Sequence, residues 1–237
     1  MDGSNIIQSI AIWALPLIFA VSFHEAAHGF MANRLGDPTA RLLGRLTLNP
    51  IRHIDLWGTI LIPLILIISK AGILFGYAKP VPVNPRYFKN PKRDMAVVAF
   101  SGPCTNFSLA FLCGILFRII LWLQPNLNHP FGMEAKPLLD GGIADFFLVP
   151  ILLMFIKSVQ LNVILGVFNL LPIPPLDGGR IVTGLLPDLL AEKFGQIEPF
   201  GFLIIVFLII LDPFGVISHW LWGIMNFIFK IFLFGAL

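Results

Sequence analysis

Charge is scarce in this chain: Asp, Glu, Lys and Arg make up 12% of its 237 residues, about half the share of a soluble globular protein. Cysteine is scarcer still. Cys104 and Cys113 stand nine apart in one apolar segment, which excludes a disulfide framework and leaves both as small buried hydrophobes. A basic stripe with interleaved aromatics is missing, so the net charge of +3 does not make nucleic acid a partner. The first apolar segment lacks the basic flank and cleavage site of a removed signal peptide, and is expected to be a retained span.

Apolar residues dominate instead. They form 57% of the sequence, 23 of them Phe, with a mean hydropathy of +0.87, the composition of a chain whose solvent is lipid. Apolar segments run over about 6–31, 56–75, 95–123, 143–171, 200–211 and 216–233. At about 20 residues per crossing, this predicts an all-α polytopic membrane protein with five to six membrane helices. It is expected to be one domain over 1–237, with a catalytic core over about 6–187 and a C-terminal helical hairpin over about 199–237.

Arg34, Arg41, Arg45 and Arg52 follow the first segment, and Lys79, Arg86, Lys89, Lys92 and Arg93 follow the second. Both loops read as cytoplasmic. That is consistent only if 56–75, which contains Pro63, re-enters rather than crosses, and such backbone needs cover from protein or a wet cavity. A plain transmembrane helix with the charge bias overridden in one loop is the competing reading. Residues 125–142 carry Glu134 and Asp140 against Lys136 and are expected to face outward.

The chemistry is concentrated in His24-Glu25-Ala26-Ala27-His28. Helical residues four apart return to nearly the same face, so His24 and His28 can bind one cation, and Glu25 beside them can take a proton from a water the cation activates. Ionisable groups at membrane depth mark functional sites by default. Two imidazoles fall one short of the three protein ligands of catalytic zinc. The third is expected at Asp177, where Pro172, Pro174 and Pro175 stop a helix and Asp177-Gly178-Gly179 follows. Asp145 and Asp212 belong to the predicted outer face, and Asp188 and Glu198 carry no such backbone signal.

Together with Gly102-Pro103-Cys104-Thr105-Asn106, these motifs resemble the site-2 protease family of intramembrane zinc metalloproteases, over roughly Ser22 to Arg180. Gly44 through Pro50 and Ala78 through Val83 resemble its small bacterial and archaeal members, without a PDZ-like or CBS-like domain. The resemblance implies one zinc per chain, held by His24, His28 and Asp177, with Glu25 as general base and then acid. It further implies that Asn106 and Asn169 help hold a substrate strand, and that the substrate is a transmembrane protein or peptide cut in or near its membrane segment. The site then lies toward the cytoplasmic side of a multi-pass protein in a bacterial or archaeal cell membrane.

A transmembrane substrate must be unwound before it can be cut, and extended pairing offers its amides partners. Segments 41–48 and 77–83 are rich in strand-compatible residues, so a small β element is expected beside the site. Two other functions use the same ligands: a metal transporter, which needs broken-helix repeats that the sequence lacks, and a catalytically silent metal-binding adaptor, in which Glu25 would have no task. A zinc protease of prenylated proteins would usually take a later glutamate ligand in place of the Asp-Gly-Gly element. Lys157, in mid-segment, either lines a water path or snorkels.

Overall fold

A computed structural model describes residues 3–68, 79–123, 143–210 and 216–233. Every regular element among them is helical: α1 (Gly3–Arg34), α2 (Thr39–Leu42), α3 (Ile62–Ile68), α4 (Pro91–Leu123), α5 (Ile143–Asn169), α6 (Asp177–Leu185), α7 (Asp188–Gly195), α8 (Glu198–Ile210) and α9 (Val216–Phe232), with single turns at Pro50–Arg52 and Pro85–Tyr87. A widened turn over Leu56–Leu61 leads into α3. Pro63 has no N–H to continue an ordinary helical ladder there.

Two helices among the described residues are long and apolar enough to cross a membrane, Pro91–Leu123 in α4 and Leu148–Asn169 in α5. This is fewer than the five to six expected. The terminal pair, α8 and α9, has 13 and 17 residues, short of the ~20 that a crossing takes. The second expected segment ends, as described, at Ile68 in α3. Whether 56–75 re-enters or crosses lies outside the described residues, as do the acidic loop at 125–142 and the turn at 211–215.

Helix α4 is the centre of the bundle and packs against α1, α5 and α6. Leu152, Ile156, Val159, Val163 and Val167 recur at steps of three and four and make one buried stripe on α5; Ala110, Phe117 and Leu121 of α4 meet it, with Leu233 closing the cluster. Helices approach closely where the sequence supplies small residues, as membrane bundles require. Ala20, Ser22, Ala26 and Ala32 are buried along α1. A Cβ on Gly114 would lie 2.0 Å from the Phe232 carbonyl oxygen, so α9 crosses α4 over bare backbone.

The expected β element does not form among the described residues. Pro80 and Pro82 have no N–H to give a ladder, and the neighbouring backbone groups are taken by other partners. Lys79 N donates to His53 O at 3.0 Å, Arg45 Nη2 donates to Lys79 O at 2.8 Å, and Val81 N donates to the Glu25 carboxylate. The result is an extended strap over 79–84, fixed at its far end by Asn84 N donating to buried Asp37 at 2.7 Å. His53 is buried, and its Nε2 lies 2.8 Å from Thr47 O. Lys157 neither snorkels alone nor stands unpartnered: its Nζ donates to Gln160 Oε1 at 3.0 Å and lies 4.4 Å from the Trp13 ring centroid on α1.

Replacement Gly114→Leu is expected to destabilise the chain by about 1–3 kcal/mol through overpacking, whereas Gly223→Ala, inside α9 with open space around its Cβ, is expected to stabilise it by up to about 1 kcal/mol. Thermal unfolding of the detergent-solubilised chain measures both.

Candidate metal centre

The end of α5 sets the site. Asn169 is its last residue, and the prolines at 172, 174 and 175 cannot extend the ladder. The chain turns back on itself, with Ile173 N donating to Leu171 O and Leu176 N to Ile173 O, so that α6 begins at Asp177. Glycine follows for a steric reason. A Cβ at Gly178 would lie 2.2 Å from Leu171 O, and one at Gly179 would lie 2.4 Å from Pro174 N. The Asp-Gly-Gly sequence is therefore what lets a carboxylate be carried on a turn folded this tightly against itself.

That turn brings Asp177 to the histidines of α1. Asp177 Oδ2 lies 3.1 Å from His24 Nε2 and 3.4 Å from His28 Nε2, and the two Nε2 atoms are 3.1 Å apart. All three residues are buried, and they form a group able to hold a metal ion. Ligands about 2.0–2.1 Å from a tetrahedral zinc are separated by roughly 3.3 Å. The observed triangle has those edges.

The hydrogen bonds behind the rings are compatible with that geometry. His24 Nδ1 lies 2.6 Å from Asn106 Oδ1, and His28 Nδ1 lies 2.8 Å from Val98 O. Both partners are acceptors, so each Nδ1 carries the hydrogen and each neutral ring turns a bare lone pair on Nε2 toward the centre. Asp177 Oδ2 is buried with no hydrogen-bond donor. Three lone-pair atoms facing one another in a buried space repel unless a cation lies among them. Burial alone would raise the Asp177 carboxyl, but in the absence of a cation a proton on either Nε2 faces it as donor and charge and holds it well below the usual carboxylate range. It is therefore a carboxylate, the form a metal takes.

Helix α4 closes the back of the centre. A Cβ on Gly102 would stand 2.6 Å from His24 Cε1 and from both Cε1 and Nε2 of His28, so the imidazole rings pack directly on the bare backbone of α4. The front opens on a cavity of about 700 Å³ lined by His24, Glu25, His28, Val81, Asn169 and Asp177. Glu25 Oε2 accepts the Val81 N–H at 2.8 Å, which aims the carboxylate into this space. Asn169 lines the cavity and donates one N–H to Leu165 O. Asn106 does not line it: fully buried behind His24, it also donates through Nδ2 to Asn162 Oδ1 and Ala20 O.

Sequence reasoning thus assembled His24, Glu25, His28 and Asp177, and missed Val98 O and Asn162. Asn162 had one legible signal, its shared helix face with Gly166 and Asn169. A backbone carbonyl such as Val98 O leaves no trace in a sequence.

Comparison with known proteins gives the same direction. The model of peptidase family M50 matches residues 12–124 and 121–211. YwhC of Bacillus subtilis, provisionally named a zinc metalloprotease, is 40% identical over 212 residues, covering 90% of this chain and 84% of its own. Rip2 of Mycolicibacterium smegmatis, similarly named, is 31% identical over 205 residues (85% of this chain, 66% of its own), and Rip2 of Mycobacterium tuberculosis is 30% identical over 226 (95% and 74%). No solved structure matches significantly.

Gly102→Ala is expected to displace both rings and weaken zinc binding by about 10-fold or more, the scale on which misoriented ligands cost affinity. Metal analysis of the purified variant beside the native chain reads this, and equal zinc content under chelator competition would contradict it.

Proposed function

The chain belongs to peptidase family M50 and is a zinc metalloendopeptidase, and from that premise we propose that it hydrolyses a peptide bond within or near the transmembrane segment of another membrane protein. The observation that carries this reading is the burial of the His24, His28 and Asp177 group against α4, one of the two helices among the described residues apolar enough to cross a bilayer. His24 stands about 15 Å along α1 from its Arg34 end at 1.5 Å per residue. Gly102 stands a similar distance along α4 from Pro91. Phe100, Phe111, Leu112, Ile119 and Trp122 leave an exposed apolar face on α4 suited to lipid. The basic loops leave the ends of α1 and α4 nearest the site, which supports a cytoplasmic orientation.

In this reading His24, His28 and Asp177 hold zinc. Zinc, when bound there, supplies Lewis acidity at near-neutral pH, acidifying water and polarising a carbonyl. Glu25 Oε1, left over from the Oε2 contact to Val81 N, takes the proton of the attacking water and returns it to the departing amide nitrogen. The Val81 N–H keeps the carboxylate aimed while it is charged. The free part of the Asn169 amide can accept from or donate to an unwound substrate backbone. The strap at 79–84 offers that backbone carbonyls more than donors, because two of its residues are proline. A metal carrier needs no base at position 25; a carboxylate turned into the cavity favours hydrolysis. The chain works as one unit, its core over about 6–187 carrying the site and α9 of the C-terminal pair buttressing α4 at Gly114.

Glu25→Gln is expected to lower cleavage of single-span substrates by about 10²–10⁴-fold, the usual range for loss of a general acid-base group, while zinc content stays at one per chain. Cleavage by the variant at the native rate would overturn the assignment. Removal of zinc with a chelator is expected to abolish cleavage, and zinc added back to restore it.

A further inference from the structure

Behind His24 runs a chain of amides whose direction is fixed by atoms that can only accept. Ser158 O is a carbonyl, so the atom of Asn162 that meets it at 2.8 Å is the donor Nδ2. Asn162 therefore turns its oxygen toward Asn106, where Oδ1 lies 2.9 Å from Nδ2. The same Nδ2 of Asn106 faces Ala20 O at 3.3 Å, a second group that can only accept. With its N–H groups committed to these two partners, Asn106 has its oxygen toward His24, 2.6 Å from Nδ1. That oxygen takes the ring proton at Nδ1. The lone pair is left on Nε2, the atom that faces His28 and Asp177.

We propose that Asn106 and Asn162 form a directional relay, anchored at Ser158 O on α5 and Ala20 O on α1, that sets the tautomer and orientation of His24 for metal binding. This assigns Asn162 as a positioning residue and gives Asn106 that task in place of substrate contact. Both amides are buried, 0% and 1% exposed, so neither competes with a substrate for partners. The relay also explains why polar side chains occupy mid-helix positions on α4 and α5, where unpaired amides are costly. Within the relay the polar groups pair in sequence, through Ser158 as far as Cys113, whose Sγ donates to Ser158 Oγ. His28 needs no such relay because Val98 O reaches its Nδ1 directly.

The inference rests on the zinc reading above, and its test separates the two. Zinc dissociation constants are measured by chelator competition on the full chain in detergent for the native protein, Asn106→Leu, Asn106→Asp and Asn162→Leu, with unfolding of each metal-free chain followed alongside. The relay predicts about 10-fold weaker zinc for both leucine variants, as loss of a ligand's orienting partner typically gives. Asn106→Asp, which keeps an acceptor at His24 Nδ1, is expected to bind within about threefold of native, since carboxylates orient metal-binding imidazoles well. Native-like affinity in Asn162→Leu would overturn the relay, as would equal weakening in Asn106→Asp and Asn106→Leu, which would mark a packing role alone. If Asn106→Leu does not fold, Asn162→Leu against Asn106→Asp decides the same question. Failure of the native chain to bind zinc would instead remove the reading beneath it.

Discussion

Three lone pairs aimed at one another, two on imidazole nitrogens and one on a carboxylate oxygen, are the constraint around which this bundle is organised. Separations of 3.1–3.4 Å between such atoms in a buried space are unfavourable unless a proton or a cation lies among them. The surrounding residues act to keep it: Val98 O and Asn106 Oδ1 occupy both Nδ1 positions and thereby force the lone pairs inward. The fold holds an arrangement whose natural completion is a divalent cation, and a fold that did not need the cation would have no reason to bury these groups together.

Glycine and proline supply the geometry in which that arrangement fits. Pro172, Pro174 and Pro175 end α5 and turn the chain, while Gly178 and Gly179 let the turn fold against its own carbonyls. Gly102 gives the imidazoles a flat wall of backbone. The same economy shapes the open side of the cavity, where Pro80 and Pro82 keep the strap from pairing as a strand and leave the Val81 N–H to the Glu25 carboxylate. Catalytic and structural requirements meet at that one contact, since it positions the base and the strap together.

The four central residues were legible because their signals are local or chemical: a four-residue helical spacing for His24 and His28, and for Asp177 a missing ligand matched by a proline-stopped helix end. The all-helical class was legible from composition. What failed did so for identifiable reasons. Strand propensity in 77–83 was outweighed by prolines that remove donors. Among the described residues two helices are long and apolar enough to cross, fewer than the apolar segments suggested, because the terminal segments form helices of only 13 and 17 residues. Asn106 and Asn169 looked alike, as amides beside apolar segments, yet one backs His24 and the other lines the cavity. Only the packing of α1, α4 and α5 distinguishes them.

The central claim is that this chain holds one zinc through two imidazoles and one carboxylate. X-ray absorption at the zinc edge of the purified protein measures that coordination directly. The account predicts a first shell of nitrogen and oxygen at about 2.0–2.2 Å with outer-shell scattering from two imidazoles, dropping to one in His28→Ala. Sulfur scattering at about 2.3 Å, or an unaltered imidazole signal in that variant, would contradict it.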